Sequence, residues 1–332
     1  MLRGSDLRSI FFIFLLFMIG GCAKTAPEKI DEAIDLALTY LTQEQCQKAI
    51  DVLEDVGPDS DNPIYLQVLA SAYACRAGYN EITFLSTDIP TITSAPATFM
   101  KSLTKLSLSA ETEANSDSYN DLLAAMNSLL YIDNNQPSYA ARVSKFGARK
   151  AGDMGVQALF MGLTQLGKFI NFYGNVDTNG TKGAGPANTN EQGATPSNCF
   201  LEYTEARSIA ALGALAGTCD DMSSDNGHPD LSFAPASLAA TKKKMCQGLV
   251  LVTNLIDILE NINLPNNSSY GSITALSGTV STFKTSIIAA DATLETLLDT
   301  TSQSTCETLV ANATEFDNLQ YIYALLFEVG LP

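Results

Sequence analysis

The 332-residue chain has one histidine, His228, and no tryptophan. It has no CxxC pair and no apolar run longer than the ten residues Ile10–Ile19. Each scarcity removes a class of function. Histidine-rich zinc sites and the two-histidine iron triad need at least two imidazoles. The missing CxxC spacing removes thioredoxin-type redox pairs and cysteine zinc knuckles. Ten apolar residues cannot cross a hydrocarbon core as a helix, which takes about 20. Positive charge is also short, with 19 Lys+Arg against 36 Asp+Glu for a net of −17. A surface this acidic repels phosphate backbones, so nucleic acid is excluded as a partner class.

Residues 1–21 read as a cleaved export signal. Arg3 and Arg8 supply a positive start, and the ten apolar residues that follow have the length of a signal-peptide h-region. Ile19-Gly20-Gly21-Cys22 comes next and resembles the lipobox of bacterial lipoproteins. That resemblance implies a diacylglycerol on the Cys22 sulfur, cleavage before Cys22 and acylation of the new amine. Several acyl chains would hold the protein firmly, since each buried CH₂ contributes about 0.8 kcal/mol and one chain alone binds marginally. Ala23, rather than Asp, after the cysteine implies sorting to a bacterial outer membrane, facing the periplasm. Without Cys22, the cysteines Cys46, Cys75, Cys199, Cys219, Cys246 and Cys306 form an even set. An even set in an oxidising compartment is compatible with up to three disulfides.

The mature chain reads as all-α. Ile30, Ala33, Ile34, Ala37 and Tyr40 recur at spacings of three and four after Pro27. Ala49, Ile50, Leu53 and Val56 follow, closed by Gly57-Pro58, and Pro63 opens a third helix through Leu66, Leu69, Ala70 and Tyr73. Leu36-Ala37 with Tyr40 recurs 33 residues later as Leu69-Ala70 with Tyr73. Tyr119, Leu122, Met126 and Leu129, closed by Ile132–Pro137, suggest a further copy after an insertion around Ser86–Pro96. These motifs resemble the tetratricopeptide repeat, whose period is near 34. The resemblance implies a right-handed solenoid of antiparallel helical hairpins over 22–137, continuing into a C-terminal helical bundle over 138–332. Each hairpin buries its apolar face only against its neighbours. In such a stack Cys46, at a helix start, meets Cys75, at the end of the next first helix. Their bond would be worth about 3 kcal/mol.

Beyond 138, one long or kinked helix is expected over 139–173, interrupted by Gly152, Gly155, Gly162 and Gly167. Four glycines in a helix imply close packing or a bend. The Gly/Asn/Thr/Pro stretch 174–198 reads as a long exposed loop. Helices are expected to resume at 200–217, 235–262, 270–299, 302–315 and 317–329. An unbroken helix over 200–217 would hold Cys199 and Cys219 roughly 30 Å apart. That leaves Cys219–Cys246 with Cys199–Cys306, or the crossed alternative; the first closes the shorter loop.

Candidate chemistry is thin. Asn175, Asp177 and Asn179 with Gly180 match half of a calcium loop, but Pro186 stands where the bidentate Glu belongs. Asp220, Asp221, Asp225 and Asp230 are a second oxygen-rich group of the same kind. Gly183-Ala-Gly185 follows no strand, and Gly162, Gly167 and Lys168 lack the hydroxyl of a phosphate loop. His228 is expected to be a solvated loop histidine, and Lys242-Lys243-Lys244 a solvated helix face. No cofactor, metal or catalytic residue is nominated. The expectation is a non-catalytic scaffold or adaptor for a protein or peptide partner in envelope assembly, secretion or transport, as in tetratricopeptide outer-membrane lipoproteins. The alternative is a transporter-associated lipoprotein with an apolar ligand cavity lined by the glycine-broken helix.

Overall fold

A computed structural model describes residues 25–93, 95–109, 116–132, 137–185, 199–213, 219, 227–262 and 271–329. Among these residues the fold is all-α: helices pack on helices, no β-strand forms, and one isolated antiparallel bridge joins Leu201 to Gly227. The signal segment, Cys22 and the closing 133–136 turn lie outside the described residues.

Three helices open the chain. α1 (Ala26–Thr42) starts at Thr25, whose N–H and hydroxyl both donate to the Glu28 carboxylate, with Pro27 in the first turn. α2 (Cys46–Asp55) and α3 (Pro63–Arg76) follow, the latter capped by Asn62 Oδ1 accepting from the N–H of Ile64 and Tyr65. Short connections between packed helices force antiparallel neighbours. The Cys46–Cys75 disulfide, with Cα atoms 5.5 Å apart, joins the start of α2 to the end of α3 as expected. Arg76 then clamps the next helix, α5 (Asp117–Leu130), through two bonds to Asp121 at 2.7 and 2.6 Å. Before α5, the described residues form a π-turn at Phe84–Asp88, a 3₁₀ turn at Ile89–Thr91, and α4 (Pro96–Leu103).

The expected long helix over 139–173 is two helices. Gly147 adopts φ +80°, which a residue with a Cβ resists, and separates α6 (Tyr139–Phe146) from α7 (Ala148–Tyr173). α7 is the central post of the molecule. It packs against α3, α4, α5, α6 and α9 (Leu238–Asn261), and most of its second half is buried. Its glycines serve contact. A Cβ at Gly162 would come within 2.9 Å of Leu255 and 3.2 Å of Met126, so this one position brings both α9 and α5 onto the post. At Gly167 a Cβ would collide with the Leu103 carbonyl and the Ser109 hydroxyl, whereas at Gly152 it would meet nothing. One apolar cluster runs from Ala33 to Phe327.

Several expectations about the C-terminal half are corrected. The start of the 174–198 stretch is not an exposed loop: Asn175, Val176 and Lys182 are buried, and Gly183 and Gly185 donate back to the carbonyls of Gly174 and Asn175. Lys182 reaches the fully buried carboxylate of Glu328, which also accepts from the Phe200 N–H and the Tyr203 hydroxyl. Nor is 200–217 one helix. Residues 199–204 form no helix, held by the bridge to Gly227 and by Thr204 donating to Gln320 Oε1, and among the described residues α8 covers Ala206–Gly213.

Without that rod, the cysteine pairing changes. Cys199 bonds Cys219 (Cα atoms 5.0 Å apart) and Cys246 bonds Cys306 (5.6 Å), in place of the expected Cys219–Cys246 and Cys199–Cys306. The second bond ties α9 to α11 (Gln303–Leu309). α10 (Gly271–Ala290) stops at Asp291, and 3₁₀ and single-turn segments replace the expected helix to 299. α12 (Ala313–Tyr323) closes the fold, running into a π-turn at Ala324–Glu328.

Candidate functional site

The residues singled out by sequence do not converge. His228 is not solvated: it is 6% exposed, with its ring 4.8 Å from Phe172 and 5.3 Å from Tyr173. Its Nδ1 accepts from the Asp230 N–H at 3.2 Å, which assigns the neutral-ring proton to Nε2. Burial pushes its pKa down to about 4, outweighing the pull of Asp230. An imidazole so placed fills space.

Asp177 caps its own turn, accepting from the N–H groups of Asn179 and Thr181, and this holds its carboxyl below the usual range. Among the described residues no three His, Cys, Asp or Glu side chains gather as metal ligands. Asp220, Asp221 and Asp225 lie outside the described residues, while Asp230 pairs with Lys244 at 3.3 Å. Gly162, Gly167 and Lys168 belong to the interior of α7, and the buried Lys168 donates to Ser118 Oγ. The lysine run is split by function. Lys242 lies over the Phe316 ring and donates to the Val310 carbonyl, Lys244 turns to Asp230, and Lys243 remains exposed.

Sequence reasoning missed a groove between α5 and α9. Both helices rest on α7, and the space between them amounts to ≈ 370 Å³. Its lining is one stripe on each helix: Asn120, Leu123, Asn127 and Leu130 of α5 face Lys243, Gln247, Val250 and Asn254 of α9. Positions three, four and seven apart share a helix face, so the stripe is set by the helical period. Met126, Leu130, Val250 and Leu251 make a buried apolar floor. Carboxamides crowd the rest of the wall, with Gln303 of α11 added at one end. Two lysines line the groove and no carboxylate does, among the described residues of a chain with 36 acidic side chains.

Asn254 is the informative residue. Its Nδ2 donates to the carbonyls of Val250 and Thr301, each at 2.9 Å. Flipping the amide would set its oxygen against two carbonyls, so the orientation is fixed. Oδ1 is left buried without a donor, in a residue 3% exposed on the groove wall. An orphaned buried acceptor costs about 1–3 kcal/mol. The sequence signal was weak, since Asn254 shares the run Leu249–Leu259 with Thr253 and Asp257.

The glycine-broken α7 contributes no residue to this groove. Compared with family models, curated proteins and solved structures, the chain finds no match in any of the three.

Proposed function

We propose that this protein is a lipid-anchored envelope protein, tethered through Cys22 to the outer membrane and facing the periplasm. There it serves as a non-catalytic scaffold that holds a protein partner through the α5–α9 groove. The observation that carries this reading is the groove itself, an apolar floor of Met126, Leu130, Val250 and Leu251 with carboxamides on both walls. Apolar area supplies affinity and a few placed polar groups fix orientation at such sites. The lone histidine, spent on packing against Phe172 and Tyr173, supports recognition over acid–base chemistry. The lipobox residues support the tether, and six cysteines in three bonds suit an oxidising compartment.

Two measurements test it. Cys22→Ser should move the protein from the membrane to the soluble fraction; unchanged partitioning rejects the tether. Asn127 is exposed on the groove wall, so Asn127→Trp fills the groove without touching the core. Affinity recovery from solubilised envelopes should give a protein with the native chain that is lost with Asn127→Trp at equal thermal stability. Equal recovery by both rejects the groove as the docking site.

A further inference from the structure

The three disulfides are not equally placed. Cys199, Cys219, Cys246 and Cys306 are all buried, none more than 4% exposed. Cys46 and Cys75 are half-buried, and the residue after each, Gln47 and Arg76, is exposed. We infer that Cys46–Cys75 is a site of reversible thiol–disulfide exchange, open to an external dithiol, while the other two bonds are structural.

Access separates the bonds. An exchanging thiolate must reach a disulfide sulfur, so a bond sealed in the core reacts only when the structure around it opens. Cys199, Cys219, Cys246 and Cys306 all belong to the apolar cluster, and Cys246 sits mid-helix in α9. Cys46 and Cys75 lie outside that cluster and join two helix ends, so their bond can be met without opening the core.

Position sets the direction of exchange. Cys46 is the first residue of α2, where the positive helix end favours a thiolate, and Cys75 is one residue from the end of α3, where the negative end disfavours one. An incoming thiolate therefore bonds to Cys75 Sγ and expels Cys46 as the thiolate, which keeps the electron pair. The reductant's second thiol, deprotonated, attacks the reductant sulfur of the mixed disulfide and releases Cys75. The reductant leaves as a disulfide, and its two protons end on Cys46 and Cys75.

Other contacts hold α2 on α3 once the bond is open. Arg76 donates to Gln47 Oε1, the Tyr73 hydroxyl to Glu54 Oε1, and the Tyr65 hydroxyl to the Leu53 carbonyl at 3.0 Å. Ala49, Ile50 and Leu53 form the buried face of α2. A reduced Cys46 has the Glu44 carbonyl as acceptor at 3.5 Å. The two thiols therefore stay placed to rejoin, which makes the exchange reversible.

The test treats the detergent-solubilised full chain with dithiothreitol under native conditions, quenches with N-ethylmaleimide at intervals and maps the label by mass spectrometry. Cys46 and Cys75 should be labelled together, at least about tenfold faster than the other four cysteines. Helical circular dichroism should be unchanged at that stage, and oxidised glutathione should restore the same pair. Reduced glutathione, a monothiol, should leave its adduct on Cys75 with Cys46 alkylated. A thioredoxin-type protein at equal dithiol concentration separates the two sources of reductant: faster reduction assigns a protein dithiol, slower a small one, and either supports exchange. Equal labelling of all six cysteines, earlier labelling of a buried pair, loss of helicity on opening Cys46–Cys75, or glutathione chiefly on Cys46 each overturns the inference. None of these outcomes bears on the groove, which neither Cys46 nor Cys75 lines.

Discussion

Burial of the single imidazole makes stability depend on pH in a window that can be computed. His228 titrates near 6.5 when unfolded and near 4 when folded, because desolvation between Phe172 and Tyr173 disfavours the cation. Between those values the unfolded chain binds the extra proton, so folding free energy rises with pH across the window. The stabilising contribution of the neutral ring is present in full above about pH 6.5 and is lost as pH falls toward 4. Its ceiling is about 3 kcal/mol, from roughly 2.5 pH units at 1.36 kcal/mol each. Moving from pH 7 to pH 5 should remove about 2 kcal/mol. Carboxylates titrate at acid pH as well, so the wild type is compared with His228→Gln, whose side-chain oxygen can still accept from the Asp230 N–H. Urea denaturation at both pH values should show the wild type losing about 2 kcal/mol more than the variant. Because the chain has one histidine, its ring resonances in a proton–carbon NMR titration are unambiguous and should shift near pH 4. A midpoint near 6.5, or equal losses in the two proteins, would refute the buried, neutral assignment.

Three more perturbations read the packing. Arg142 is fully buried with none of its nitrogens in a hydrogen bond, and its ion pair is Asp257 at 3.5 Å, which also accepts from the Tyr139 N–H. Burial lowers the arginine pKa and raises that of the aspartate. Asp257→Asn should therefore cost about 3–5 kcal/mol by stranding the guanidinium, while Arg142→Met costs less or stabilises; a larger loss for Arg142→Met contradicts this. Gly167→Ala should lower the melting temperature sharply, since its Cβ meets the Leu103 backbone, whereas Gly152→Ala should be neutral or stabilising by up to about 1 kcal/mol. Equal melting temperatures would undo the close approach of α7 to α4. Replacing Cys46 and Cys75 together with Ser removes a 29-residue closure and should cost about 3–4 kcal/mol, and non-reducing peptide mapping should recover Cys199 with Cys219 and Cys246 with Cys306.

Much of the helical pattern could be read from apolar spacing. α1, α2, α3 and α5 carry buried residues at three- and four-residue intervals, and Asn62 and Ser116 mark starts by capping. The Cys46–Cys75 bond followed from helix ends meeting in a hairpin stack. What misled is equally specific. Ala206–Gly213 has helical periodicity, but Phe200–Thr204 finds better partners in Gly227 and Gln320, pairings that only the folded chain brings together. The polar composition of 174–185 hid a Lys182–Glu328 contact 146 residues apart in sequence, which buries both charges. Gly147 broke a helix that periodicity alone would continue. The groove was invisible for the same reason as the Cys199–Cys219 bond. Asn254 and Asn127 lie on different helices, and only their shared seat on Gly162 of α7 sets them facing.

The most direct measurement places a photoreactive benzophenone side chain at Asn127 in cells making the full-length protein, followed by irradiation and mass-spectrometric mapping of the crosslinked chain. The expected product is a single protein partner, absent when the same group sits at exposed Ile82. Adducts to lipid alone, or the same products from Asn127 and Ile82, would contradict a groove that holds a protein segment.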